Sequence, residues 1–373
     1  MLLDEHLEYL SDEVRLQLFC KAIAETVRPG DRVLDLGCGV GILGLLCLKA
    51  GAGHVWGIDQ TDAIELARET MTRLGLSDRY TCVRERSFRA TIPEQVDLIV
   101  CDHVGHFGVD YGILDTLGDA RRRFLKPGGN ILPEGLQLFL AAANAPQCRT
   151  KAEEWGQPNI PAEYRWLREH GVNMKHPRTF CADDILSEAA QVGRLDLYQD
   201  NSEQLTLEAT LRAKRDGVID GLVSWFECTL SATVSMSNSP FDGNAIKRDQ
   251  AFLPFERPVA VQAGDALEAS VVFRPDTNLL AWTIRLPRTG ERHRQSTWHS
   301  MIIGPGTLPA TRPKVAELSP VGAFRKALLQ YVDGVRTTDQ IVEDLVRTHP
   351  DLFASRDEIR RLAELELSRN IKG

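Results

Sequence analysis

The chain has 373 residues, 43% hydrophobic and 26% charged, enough for about two or three soluble globular domains with real cores. A net charge of −8 and a pI near 5.7 exclude a broadly basic nucleic-acid-binding body. No apolar run approaches the ~18 residues of a membrane span, and the eight cysteines contain no C-x-x-C pair, which excludes a thiol-redox or zinc-ribbon motif.

The N-terminal segment MLLDEHLEYLSDEVR is acidic and lacks a signal-type apolar run. With cysteines scattered through apolar stretches, it points to a cytoplasmic protein with reduced, mostly buried thiols. Residues 3–27 read as one helix, with Leu7, Leu10, Val14, Phe19, Ile23 and Val27 at roughly helical spacing and Pro29-Gly30 ending it. His6, Tyr9, Asp12 and Arg15 recur at threes on it, which by periodicity alone describes a solvated face.

Val33 to Asp59, VLDLGCGVGILGLLCLKAGAGHVWGID, organises the rest. An apolar strand ends in Gly37, Gly39 and Gly41, a helical pattern follows, and a second strand closes on Asp59, so the stretch is a βαβ unit. Glycine takes positive φ and leaves no Cβ between backbone and ligand. An acid about twenty residues past the first glycine can accept both hydroxyls of a ribose. A dinucleotide fingerprint spaces its glycines G-x-G-x-x-G, whereas the spacing here is G-x-G-x-G with Asp35 just before it. A carboxylate there repels a pyrophosphate and suits an ammonium or sulfonium. The stretch resembles motif I of the class I S-adenosylmethionine-dependent methyltransferases, with Asp59 as the ribose acid.

The order HLEYLSDEVR is in turn similar to the segment before motif I in the protein arginine methyltransferases, where a helix folds over the cofactor. The resemblance implies S-adenosylmethionine as cofactor, Arg15 pairing with its methionine carboxylate, His6 as companion, and Tyr9 where that family usually has methionine. With Asp35, Gly37, Gly39, Gly41, Asp59, Gln60 and Asp102, and with Ser87 and Phe88 at the family's adenine contacts, these form the expected cofactor set.

A helix is expected over Thr61–Leu74, a strand around Tyr80–Val83 and another over Val96–Asp102, whose carboxyl end faces the ligand crevice. The loop CDHVGHFGVDYGIL, residues 101–114, matches in length and in Gly105 the loop in which arginine methyltransferases carry two glutamates. Here Asp102 replaces the first, Tyr111 stands at the second with Asp110 beside it, and His103 and His106 are added. Methyl transfer needs an aligned, deprotonated nucleophile. Asp102, His103, His106, Asp110 and Tyr111 are therefore the catalytic candidates, Asp102 to orient a nitrogen and a histidine to take its proton; for the histidines, simple loop hydrogen bonding is the competing reading. No metal site is expected, since His103-x-x-His106 lacks a third ligand.

A helix over Asp115–Phe124 and a Pro-Gly-Gly turn lead into residues 141–180, irregular and aromatic, which in the resembling family form a dimerisation arm. From Leu195 to Ile303, alternating strands (LDLYQ, QLTLEATLRA, GLVSWFECTLSATVSM, PVAVQAG, ALEASVVFR, LLAWTIRL, STWHSMII) predict an antiparallel barrel or sandwich. Where the family completes its acceptor pocket with Thr-His-Trp, the chain has the loop NAIKRDQAFLPF, whose Lys247 and Arg248 repel a guanidinium if they face inward. Residues 315–373 predict a small helical module similar to peptide-holding winged helices of the PqqD type, or a plain structural cap.

The expected architecture is therefore α/β + β: a Rossmann-like methyltransferase domain (1–140), a β-barrel acceptor domain (141–304, arm 141–180) and a C-terminal helical module (315–373). The expected activity is N-methylation of an amine, imidazole or guanidine on a peptide or peptide-like natural-product intermediate or small molecule, by a homodimer, with a leader peptide at the C-terminal module and no nucleic-acid or membrane partner. A protein arginine methyltransferase with a divergent pocket and a non-catalytic cofactor-binding scaffold are the alternatives.

Overall fold

The computed structural model describes residues 2–201, 204–301, 318, 320–349 and 355–370. The chain divides into two compact units, Met1–Met301 and Ile302–Gly373.

The first helical stretch is not one helix. α1 (Leu2–Ser11) stops at Asp12, where α2 (Glu13–Thr26) begins. Asp12 caps α2 by accepting from the Arg15 backbone N–H at 3.1 Å, and its other oxygen accepts from the Lys247 N–H at 2.8 Å. The periodicity holds on both sides of the joint, but a short acceptor side chain competes for backbone N–H groups and restarts the helix. Asp12 and Arg15 are each 3% exposed, so this is no solvated face.

A parallel sheet follows, made of β1 (Arg32–Leu36), β2 (His54–Asp59), β3 (Tyr80–Arg84), β4 (Val96–Cys101) and β5 (Leu125–Leu132). Its spatial order is β3-β2-β1-β4-β5. The crossover helices are α3 (Ile42–Lys49), α4 (Ala63–Arg73) and α5 (Ile113–Phe124). Strand order reverses between β1 and β4, where open parallel sheets leave a crevice at their carboxyl ends. Val33, Leu34, Ile99 and Val100 are fully buried, which is why these strands read as apolar runs rather than alternations.

β6 (Gly135–Ala143) then starts an antiparallel layer, so the expected boundary at residue 140 falls inside a strand. After α6 (Pro146–Ala152) and α7 (Arg168–Val172) come β7 (His176–Arg178), β8 (Ala190–Asp196), β9 (Leu205–Arg212), β10 (Gly217–Thr229), β11 (Ser235–Ser237), β12 (Gln250–Val261), β13 (Ala266–Arg274), β14 (Leu279–Arg285), β15 (Arg292–Ser296) and the one-turn α8 (Thr297–Ser300). One sheet runs β7-β12-β10-β6-β8 with β11 beside β10, and the other runs β15-β14-β13-β9. β8 adjoins β9 and β12 adjoins β15, which curls the two sheets toward a barrel.

Three local readings are corrected. β12 begins at Gln250, inside the segment expected to be loop; Ala251, Phe252, Leu253 and Phe255 are buried on both faces, so no alternation marks the strand. β8 starts at Ala190, five residues before the expected LDLYQ, and ends at Asp196, two residues into it. The last expected strand, STWHSMII, breaks after Ser296, whose hydroxyl accepts from the Trp298 N–H at 3.2 Å and caps α8.

One core joins both layers, from Phe19 and Leu34 through Leu138 and Phe226 to Leu253 and Trp282. The second unit has its own core of Phe324, Leu328, Val342, Leu345 and Ala363 on α9 (Pro320–Tyr331), α10 (Thr338–Thr348) and α11 (Arg356–Asn370). Thr337 and Gln340 form a capping box at α10, and the Ser355 hydroxyl accepts from the Glu358 N–H at the start of α11. Among the described residues this unit has no strand.

Candidate active site

A cavity of about 290 Å³ opens at the carboxyl ends of β1, β2 and β4. His6, Tyr9 and Arg15 line it from α1 and α2, Asp35, Gly37 and Gly39 from the glycine bend, Asp59 and Thr61 from the end of β2, and Asp102, His103 and Tyr111 from the loop after β4. Residues far apart in sequence meet here because each follows a strand that ends at the same edge of the sheet.

The bend is built for close approach. Gly37 and Gly39 have φ of 69° and 51°. A Cβ on Gly37 would lie 1.9 Å from His103 Nε2, and one on Gly39 would lie 2.8 Å from His6 Cε1. The Asp59 carboxylate fixes the bend by accepting from Gly39 N–H at 2.9 Å, and its other oxygen accepts from the Thr61 N–H and hydroxyl, each at 2.7 Å. Asp35 is 1% exposed and its Oδ2 accepts from Gly44 N–H at 2.8 Å and from the Tyr80 hydroxyl at 3.0 Å. Burial pushes its carboxyl up to about 7. Asp35 therefore ties β1 to α3 and β3 at the cavity edge, and it is not the freely charged sulfonium partner that position alone suggests. Gly41, at φ 82°, opens α3 against Ala67, Met71 and Tyr80, outside the cavity.

Asp102 is the electrostatic centre. Arg15 Nε donates to its Oδ2 at 2.7 Å, and a second Arg15 nitrogen pairs with the same oxygen. Arg248 approaches that oxygen from the barrel side at 3.7 Å. Asp102 Oδ1 is buried and has no hydrogen-bond partner among the described residues. Both guanidinium groups lie over the Tyr9 ring, that of Arg15 at 5.0 Å and that of Arg248 at 5.2 Å from its centroid.

The loop after β4 is locked to the barrel. Asn238, fully buried, donates to the carbonyls of His106 and Asp249 at 3.0 and 2.9 Å. His106 Nδ1 lies 3.0 Å from the Asp249 carbonyl, and its Nε2 lies 3.1 Å from the Tyr111 hydroxyl. A carbonyl only accepts, so Nδ1 carries the hydrogen and Nε2 accepts from Tyr111. Burial pushes His106 below its ordinary value, and His103 likewise. Asp110 is engaged in the loop itself, accepting from Phe107 N–H at 2.8 Å and pairing with Lys175.

Six of the expected residues lie away from the cavity wall, Gly41 and Asp110 among them. Gln60 is exposed just past Asp59, Phe88 is 54% exposed, and the Ser87 carbonyl is held by Arg123 at 2.5 Å. His106 acts on the cavity only through Tyr111. Lys247 turns away, its backbone on Asp12 and its Nζ 3.4 Å from the Ser11 carbonyl. Arg248 does face inward. Lys175 carried no sequence signal, since its partner Asp110 lies 65 residues away.

The donor set fits a sulfonium nucleoside with an amino-acid tail: a Cβ-free cradle, an acid at the end of β2 and a buried arginine fork. Residues 33–129 match the methyltransferase domain family and residues 137–284 the arginine methyltransferase oligomerization subdomain. The chain is 28% identical over 280 residues to protein arginine N-methyltransferase 1 of Schizosaccharomyces pombe, covering 72% of this chain and 82% of that one. It is 28% identical over 289 residues to protein arginine N-methyltransferase 6 of Xenopus laevis, covering 72% and 83%. Its fold is similar to the Trypanosoma brucei PRMT1 enzyme-prozyme heterotetrameric complex with AdoHcy (TM-score 0.69, 20% identity, 78% and 96% covered). It is also similar to Arabidopsis thaliana protein arginine methyltransferase 10 (TM-score 0.68, 18% identity, 79% and 98% covered). With the glycine bend, the acid that ends β2, the buried arginine and the barrel in one chain, this protein is a class I S-adenosylmethionine-dependent methyltransferase similar to the protein arginine methyltransferases.

Proposed function

We propose that the enzyme methylates a side-chain nitrogen of a polypeptide, with arginine as the acceptor its relatives' activities favour. The observation that carries this is Asp102: a buried carboxylate at the cavity, one oxygen on Arg15 and the other without a hydrogen-bond partner among the described residues. A buried acceptor atom left in that state calls for an N–H donor. S-adenosylmethionine, when bound, supplies a sulfonium-activated methyl carbon; Arg15 would hold its carboxylate, Asp59 its ribose, and Gly37 and Gly39 its backbone-facing edge.

The chain's own residues then orient the nitrogen and take its proton. Asp102 Oδ1 accepts from one N–H and fixes the lone pair toward the methyl group, which is chiefly a gain in proximity and orientation. Tyr111 accepts the departing proton as its own hydroxyl hydrogen passes to His106 Nε2, leaving an imidazolium held by the Asp249 carbonyl. His106 is neutral near pH 7 because burial lowers its pKa, so it is free to receive that proton.

A second reading, an amine or imidazole acceptor, is favoured by Tyr111 itself: a neutral hydroxyl stands where a second acid would add negative charge for a guanidinium. Incubation with methyl-labelled cofactor and peptides carrying single Arg, Lys or His residues, with mass location of the label, separates the two. Label on oxygen or carbon would sink both.

The family matches end at residue 284, so peptide holding by residues 315–373 rests only on the sequence resemblance. Deleting them should abolish binding of a leader-bearing peptide if they hold one. Exposed Trp155, Tyr164 and Trp166 on the 141–180 insert support a homodimer, which light scattering reads directly. All eight cysteines are free, in keeping with a cytoplasmic enzyme, and no helix of the described residues is long and apolar enough to cross a membrane.

A further inference from the structure

Beside the cavity, against Asp102, the chain already places a guanidinium of its own. Arg248 precedes β12 on the barrel side, and its side chain is 7% exposed. It donates to the Val104 carbonyl on the loop that carries Asp102, lies 3.7 Å from Asp102 Oδ2, and stacks over the Tyr9 ring at 5.2 Å. A carbonyl, a carboxylate and an aromatic face are the three partners a bound guanidinium seeks. The 3.7 Å approach to Asp102 is loose for such a pair, and Asp102 Oδ1 remains without a partner among the described residues, so Arg248 uses the site incompletely. Lys175 takes the neighbouring acid, Asp110. No second carboxylate of the loop is therefore left to receive an additional cation beside Arg248.

We propose that Arg248 is a resident occupant of the acceptor's guanidinium position, and that an acceptor arginine binds by displacing it. This rests on the arginine reading above. A resident competitor reduces apparent affinity by the fraction of molecules in which the site is vacated. Arg248 thus sets both the acceptor's KM and its selectivity, because an acceptor must offer Asp102 a better-formed pair than the loose one Arg248 makes.

The test uses the full chain and two variants, Arg248→Ala and Arg248→Lys, the latter keeping a cation while removing the forked donor. Calorimetric titration with guanidinium chloride is the first measurement. The Ala variant should bind guanidinium with a Kd of about 1 mM, as a very small ligand in a charged pocket does, while the unaltered chain should not. Its melting temperature should rise with guanidinium at those concentrations, a readout that also serves if the variant is poorly folded without the ion. In the second measurement, KM for an arginine peptide should fall about tenfold in Arg248→Ala. Folded variants that bind S-adenosylhomocysteine but not guanidinium, or an unaltered chain that binds guanidinium equally well, would overturn the proposal. Guanidinium binding by the variant with no arginine peptide methylated would uphold the resident-guanidinium assignment and defeat the arginine reading instead.

Discussion

Arg15 and Asp102, 87 residues apart in the chain, are joined by a hydrogen bond of 2.7 Å from Nε to Oδ2 and by a second nitrogen on the same oxygen. The pair links the helix over the cavity to the loop that faces the acceptor. If Arg15 holds the cofactor's carboxylate as proposed, a ligand that engages it should loosen its hold on Asp102. Arg15→Lys keeps the charge but loses the planar fork. Its affinity for S-adenosylhomocysteine should fall about 10- to 100-fold by calorimetry, the worth of a charge-assisted bidentate contact. Unchanged affinity would mean that Arg15 only positions Asp102.

The Tyr111 and His106 pair makes a separate prediction, about rate rather than binding. Tyr111→Phe removes the hydroxyl that joins the cavity to His106 Nε2. kcat should drop about 100-fold, the usual scale for a lost proton acceptor, with cofactor affinity retained. In the unaltered enzyme, burial depresses His106 below 6.5, so the acid limb of the kcat profile should lie below that pH as the imidazole gains its proton. The Phe variant should lose that limb. A limb that persists in the variant would place the titrating group elsewhere.

Much of this was legible in the chain because the physics was local. Gly37, Gly39 and Asp59 announce themselves by spacing, since a tight bend and a strand-terminal acid are adjacent in sequence. The joint at Asp12 was hidden because helical periodicity runs through it, while the partner that fixes it, Lys247, comes 235 residues later. β12 escaped for a different reason: buried on both faces, it carries no alternation from Gln250 to Phe255. Asp35 was legible as an acid at the right place but not as a buried one, because its environment comes from Gly44 and Tyr80, on other elements. Whether Arg248 faced in or out was undecidable from sequence, since the choice depends on the fit of barrel to loop.

Asp35 gives the fold a stability that falls as pH rises from about 4 to about 7. Its carboxyl is raised to about 7 in the folded chain by burial, from an ordinary 3.8. A raised folded pKa contributes stability that is present below the unfolded value and lost as pH rises through the folded one. Asp35→Asn keeps an acceptor oxygen for Gly44 and Tyr80 and removes the titration. The melting temperature of the unaltered protein should exceed the variant's by less at pH 8.5 than at pH 5.5. A gap that widened with pH would show that the charged form is the stabilised one.

Gly37 is tested by separating space from strain. In Gly37→Ala the new Cβ lands 1.9 Å from His103 Nε2, and the backbone sits at φ 69°, where L residues are disfavoured by about 1–2 kcal/mol. Removing the ring with His103→Ala opens the space but leaves the strain. The double variant should recover part of the melting temperature lost by Gly37→Ala, yet remain about 2 °C or more below His103→Ala alone, the shift expected for that residual strain in a unit of this size. It should also bind S-adenosylhomocysteine more weakly than His103→Ala, because the methyl group still projects into the cradle. Full recovery of both would mean that the glycine is needed only to seat the histidine, and that the bend itself places no demand on the residue at position 37.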